Sequence, residues 1–327
     1  MLMSSPFHLP VFFLACWMTL AVAAGAHGQS LAQDRVSMDQ TLREAARISG
    51  QTEALSLSAQ TDEDSRLLEK EYGTQRIRPL PPESRDWLLT LEAGGFYTSN
   101  ALLAPFAESQ DWVGRSVLRM AWAPAITDQL SVMVAVNYGL WRYSDLPFLD
   151  FDDVGAQAGL VWTSDAPPLA GGMERASAWA QYRYNRLLQP WEWDAFLYET
   201  HFAEAGLRRA WGIGQDVAVW GAGNAAVSVA GRPALFRRSE YSTQLGALWQ
   251  ITPNVTATML YRAALFDYLE DARQDVNQLI HVGVSWQIRP SLRAEVYLGG
   301  SFNDSDLPVF DYQALNLGLN FAISKMW

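Results

Sequence analysis

The chain of 327 residues holds one cysteine and four histidines, and only 18% of its residues are charged. A single thiol excludes a disulfide framework, and so few soft ligands exclude a structural zinc site. After the first 26 residues no apolar run approaches the length of a spanning helix. Basic residues are scarce too: 24 Lys and Arg against 35 Asp and Glu give a formal charge of −11. Nucleic acid is therefore not an expected partner, because the basic footprint it requires is missing. What the chain does have is a 49% apolar content, which excludes a disordered polymer, and 14 tryptophans.

Val11 to Ala26 is an almost unbroken apolar stretch, with Phe12, Phe13, Leu14, Trp17 and Leu20, and Ala24-Gly25-Ala26 supplies an A-x-A cleavage pattern. Residues 1–28 read as a secretory signal peptide. Cys16 lies inside it, and apolar sequence continues beyond Cys16, so a lipid anchor is not expected. Residues 29–85 are polar and of mixed charge. Ser37–Ile48 and Thr61–Tyr72 have the pattern of short helices, and Arg78-Pro79-Leu80-Pro81-Pro82 that of an extended linker. This segment reads as a mostly irregular or helical periplasmic extension.

From Trp87 onward apolar residues alternate with polar or small ones, the period of a strand with one apolar face. The clearest run is Leu130, Val132, Val134, Val136, Tyr138, Leu140. Others are Val255 to Tyr261, Ile280 to Trp286, Leu292 to Leu298 and Leu315 to Trp327. Twelve such segments are predicted, near 87–97, 112–123, 129–142, 154–163, 176–186, 197–211, 216–229, 240–251, 254–266, 276–288, 292–303 and 313–327. Ten residues of tilted strand rise roughly 23 Å, the height of the apolar band of a transmembrane barrel. Short connections such as Thr252-Pro253-Asn254 and Arg289-Pro290-Ser291 follow the even strands, and longer ones are expected after the odd strands, including Leu187 to Phe196. The fold class predicted for residues 86–327 is an all-β, antiparallel, up-and-down transmembrane barrel of about twelve strands.

Each even-numbered segment ends in a tryptophan of apolar-face parity: Trp122, Trp162, Trp211, Trp249, Trp286 and Trp327. Trp87 opens the first segment on the same face. An indole joins an apolar body to one N–H donor, so seven at one barrel end suit a membrane interface.

In its leader, its strand pattern across 87–327 and its final Leu319-Asn320-Phe321-Ala322-Ile323-Ser324-Lys325-Met326-Trp327, the chain resembles the Gram-negative outer-membrane barrel and porin class. Gly94-Gly95-Phe96-Tyr97-Thr98-Ser99-Asn100 is also similar to first-strand sequence in bacterial porins. The resemblance implies contact with outer-membrane lipid and lipopolysaccharide, both termini in the periplasm, and recognition by the barrel assembly machinery through the strand ending in Trp327.

Parity assigns Glu92, Arg115, Arg119, Arg183, Glu204, Arg208, Arg262, Arg293 and Glu295 to the inner face, with His281, and charge there requires water or a partner. Arg119, Arg208 and Arg293 lie nearest the tryptophan end. These residues either line an aqueous pore or pair into a ladder that fills the lumen. The function expected is passive diffusion of small hydrophilic solutes, with no cofactor. The alternative is a structural or assembly barrel that binds a periplasmic partner through residues 29–85. A lipid hydrolase is the least supported reading, since His281 and Ser285 share one inward face of one strand. The long connections hold most of the net charge; Asp150-Phe151-Asp152-Asp153 and Asp304-Ser305-Asp306 read as solvated loop charge rather than cation ligands. Phe148, Trp191, Trp193 and Phe196 are expected to fold back into the mouth.

Overall fold

The computed structural model describes residues 86–105, 108–166, 174–190, 192–213 and 216–327. The expected signal peptide (residues 1–28), the expected 29–85 extension with its linker, and Trp191 lie outside the described residues, as does the side chain of Trp193. The strands are β1 (Trp87–Thr98), β2 (Asp111–Trp122), β3 (Leu130–Tyr143), β4 (Phe151–Ala166), β5 (Glu174–Gln189), β6 (Glu192–Ile213), β7 (Val217–Arg232), β8 (Arg238–Thr252), β9 (Val255–Tyr268), β10 (Gln274–Arg289), β11 (Leu292–Ser305) and β12 (Tyr312–Met326). Each pairs antiparallel with its sequence neighbours, and β1 pairs with β12 to close the barrel. At the seam the Trp87 amide donates to the Trp327 carbonyl at 3.1 Å, and the Trp327 amide donates back at 3.2 Å. Closure leaves no unpaired edge in the wall.

The connections separate the two ends. At the end carrying the girdle candidates, tight turns such as 253–254 and 290–291 join even strands to odd ones. There the Thr127 hydroxyl accepts from the amides of Gln129 and Leu130, and the Thr252 hydroxyl from the amide of Asn254, so side chains satisfy the turn backbone. At the opposite, loop end the connections are shorter than expected. The stretch predicted as a long connection, Leu187 to Phe196, is mostly strand: β5 and β6 extend into a projecting hairpin, with register shifts at Leu187/Leu188 and Leu188/Gln189. Its aromatic and leucine residues favour pleated backbone, and the bulges absorb the change of register. Three other connections at this end carry a single 3-10 turn, Pro147–Leu149, Ala234–Phe236 and Pro308–Phe310, the first and last having proline at the start, where its fixed φ costs nothing.

Alternation sorts the two faces. Leu91, Leu118, Val136, Leu160, Leu207, Leu245, Met259, Val284, Val296, Leu319 and Phe321 all point outward and are exposed. The outer wall is thus an apolar band, the inverse of a water-soluble protein. Trp87, Trp122, Trp162, Trp211, Trp249, Trp286 and Trp327 are all exposed on this outer face beside the tight turns, and Trp87 stacks on Trp122 with centroids 5.8 Å apart.

Inside, large side chains are matched to glycines on the neighbouring strand. Trp179 is in register with Gly206, Trp220 with Gly246, and Tyr297 with Gly318. In each pair a Cβ on the glycine would fall within the ring, so the missing side chain lets the ring lie flat along the wall. Gly246→Val should therefore lift Trp220 off the wall and destabilise the barrel by about 1–3 kcal/mol. Gly223→Ala, where the nearest atom to the new Cβ is a backbone oxygen 3.8 Å away, should change stability by less than ~0.5 kcal/mol. Urea unfolding of the liposome-reconstituted protein compares the two.

Candidate functional site

The strand register carries every ionisable residue expected on the inner face to an inward position. Near the tight turns Arg119 on β2, Arg208 on β6 and Arg293 on β11 are half-buried. Neutral polar groups surround them: the Thr90 and Ser324 hydroxyls bond at 3.2 Å, and Ser177, Gln181, Asn224, Gln244 and Asn320 are partly accessible.

At mid-height the charges are paired. Arg115 donates to Glu92 at 2.9 Å and lies 5.5 Å over the Trp141 ring. Arg183 approaches Glu204 at 3.2 Å and donates to Glu240 at 3.0 Å. Glu240 also accepts from Arg238 Nε at 2.9 Å. Because β6 and β7 separate Arg183 from Glu240, this bridge runs along a chord of the lumen rather than along the wall. Arg238 is fully buried, its guanidinium 3.8 Å over Phe266, with Arg262 on the same ring at 5.6 Å. Glu295 meets His281 Nε2 at 3.5 Å, and the imidazole lies against Tyr297.

Towards the loop end the lumen is packed with apolar side chains. Phe96, Val113, Trp141, Tyr143, Phe151, Leu187 and Tyr198 converge from β1 to β6, Phe236 enters from the 233–237 turn, and Tyr297 reaches them from β11. Beside them Leu103 of the β1–β2 loop is fully buried against Tyr312 and Ala314. Leu103 has φ 45°, a conformation that costs a non-glycine residue roughly 1–2 kcal/mol. Burial of a leucine side chain offsets this by about 1.5–3 kcal/mol, and Asn100 holds the loop by donating to the carbonyls of Ala104 and Gln313 and accepting the Ala104 amide.

Several expectations are corrected here. Phe148 does not fold into the mouth: it is 72% exposed, because the turn beginning at Pro147 directs it away, and Phe151 and Phe236 fill that space instead. Phe196 is likewise exposed. Asp152 and Asp153 are not solvated loop charge. Both are buried in β4; Asp152 accepts from Arg142 and Tyr138, and Asp153 from Asn137 and Trp141. Asp111 and Asp275 are also buried at the strand ends, where Asp111 accepts the amides of Asp145 and Leu146 and Asp275 pairs with Arg273. Part of the acidity assigned to the loops thus belongs to the barrel. His281 and Ser285 do not form a couple, since the Ser285 hydroxyl donates to the Thr256 carbonyl at 3.4 Å.

Arg238 and Glu240 were not among the expected lumen residues, though Glu240 has the parity of Ser242 and Gln244. Extending that alternation four residues from Ser242 towards the loop passes through both. Trp141, Trp179 and Trp220 are inward too, and only their parity, opposite to the apolar face of their strands, marks them.

No family model matches the chain, and no curated protein matches it. Solved structures do. An outer membrane channel from Pseudomonas putida F1 aligns over 75% of this chain and 100% of its own, with 13% identity and a TM-score of 0.51. The NanC porin aligns over 71% and 98%, with 8% identity and a TM-score of 0.43. Outer membrane phospholipase A from Escherichia coli aligns over 77% and 94%, with 11% identity and a TM-score of 0.42. The chain has the fold of outer-membrane channel barrels.

Glu240 faces Arg183 and Arg238, so Glu240→Ala leaves two buried guanidiniums without that carboxylate and should cost about 3–5 kcal/mol. Truncating the exposed Arg237–Glu270 pair should cost under ~1 kcal/mol. Denaturant midpoints of refolded protein test the contrast.

Proposed function

We propose that the protein is an outer-membrane channel for small hydrophilic solutes, with Glu92, Arg115, Arg119, Arg183, Glu204, Arg208, Arg262, Arg293 and Glu295 lining the route. One observation carries this reading: ionised side chains are gathered inside a wall whose outside is apolar. Burying each ion pair is costly, and a route for hydrophilic solutes gives these charges a task beyond spacing the walls. The tryptophan ring then marks the periplasmic interface, and Tyr97, Trp112, Tyr138, Tyr182 and Tyr241 the outer one. Short turns and both barrel termini lie on the periplasmic side, and β12 with Trp327 is what the assembly machinery would read.

The apolar cluster that includes Phe151 and Phe236 packs inside the loop end of the route, and its removal is expected to widen that end. Solutes on the periplasmic side meet Arg119, Arg208 and Arg293 first. Their guanidiniums give the periplasmic end of the route a positive field that favours anions.

Planar bilayers test this. The wild type should give small, infrequent openings, and Phe151→Ala with Phe236→Ala should raise the conductance several-fold. In a salt gradient the reversal potential of that opened variant should move towards cations when Arg119, Arg208 and Arg293 are replaced by alanine. An opened, well-folded barrel that stays silent overturns the proposal.

A further inference from the structure

The outer wall gathers its outward-facing cations at the loop end into one sector. Arg142 on β3, Arg186 on β5 and Arg232 on β7 have outward register positions. Among the described residues, β8–β12, β1 and β2 present no outward Arg or Lys in their loop-end halves; Asp267 and Asp304 stand there instead. The sector is organised. His201 on β6 has Nε2 3.2 Å from a Glu199 carboxylate oxygen, its Nδ1 is hydrogen-bonded to the Tyr182 hydroxyl, and its ring lies 4.9 Å from Tyr184. Glu199 is in register with Arg186 on one side and Arg232 on the other. Arg186 lies 5.5 Å over Phe196, and Arg142 donates to Asp152 at 2.6 Å while Asp152 accepts the Tyr138 hydroxyl at 2.8 Å.

Along the wall towards the tight turns, this sector passes into Val136, Leu160 and Leu207, all exposed. The order from mid-membrane outward is therefore apolar wall, tyrosine hydroxyls, then guanidiniums. A phosphorylated glycolipid has the same order: acyl chains, sugar hydroxyls, phosphate. Guanidiniums suit phosphate oxygens, and tyrosine suits a sugar at an interface.

We infer that this sector binds the phosphorylated headgroup of an outer-leaflet glycolipid. Arg186 and Arg232 donate to the phosphate, Tyr182 and Tyr184 contact the sugar, and Glu199 with His201 holds the arginines and tyrosines in place. The inference rests on the membrane orientation proposed above.

The probe is bisphosphorylated lipid A, titrated into the full chain in detergent micelles and read by microscale thermophoresis. Arg186→Ala with Arg232→Ala should weaken binding by about tenfold or more, and lipid A stripped of its phosphates should bind the wild type as poorly. Lysine at both positions should restore part of the affinity. Heat-modifiable migration on gels confirms that each variant is folded; if the double alanine variant does not fold, Arg232→Ala alone and the dephosphorylated lipid decide. Equal affinity for both lipids, or for wild type and variants, overturns the inference, and so does full competition by inorganic phosphate, which would make this a site for the free ion. Bilayer conductance is measured in parallel. Silent bilayers with intact lipid selectivity fail the channel reading alone, whereas normal conductance without lipid selectivity fails this inference alone.

Discussion

Backbone amides and carbonyls in hydrocarbon find no water, so every one in the wall must be paired within the protein. The bonds that complete this pairing are those of the ladder between β1 and β12, from Thr98 opposite Asn316 to Leu88 opposite Met326, with Trp87 and Trp327 bonded at its end. Until they form, β1 and β12 are two open edges. Once they form, a strand has only two sides, one facing the surroundings and one facing the lumen, and strand alternation fixes which residue goes where. The exposed Leu, Val and Met residues and the inward Arg and Glu residues are two expressions of the same closure.

Closure also limits what the lumen can hold. Twelve strands enclose less room than the open porins and more than the small filled barrels, so three tryptophans inside would obstruct it unless they lie along the wall. Gly206 and Gly246 allow this for Trp179 and Trp220. These glycines lie in regular strand, so what they contribute is the absence of a Cβ. At the loop end the opposite solution applies: Trp141 stacks on Phe151 at 5.3 Å and meets Phe96 edge-on, so rings pack on one another instead of on glycine.

Most of the wall was legible in the sequence because its signal is local. A period of two over ten residues, repeated, survives without any knowledge of partners, and the register carries Arg115, Arg183 and Glu204 inward as parity dictates. What was not legible depends on contacts between distant strands. Nothing near Glu240 in the chain indicates Arg183, because their bond crosses two strands. Asp153 reads as loop charge until Trp141 and Asn137 of the neighbouring strand are seen to donate to it. The Leu187 to Phe196 stretch misled for a different reason: the bulges between β5 and β6 break the alternation on which strand detection relies, so strand was read as connection.

The central ion pairs and the aromatic cluster occupy neighbouring parts of the inner wall. Buried pairs such as Arg183–Glu240 gain little net stability over apolar packing of the same volume, because desolvating two ions consumes most of their attraction. Their retention therefore points to geometry: a bidentate-capable guanidinium on β5, fixed to a carboxylate on β8, sets the distance between two walls that share no backbone hydrogen bonds. Tyr198 and Phe236 pack edge to face at 5.9 Å, and Tyr198 lies on β6, the strand paired with the β5 strand of Arg183, so the ion pair and the seat of Phe236 share one stretch of inner wall.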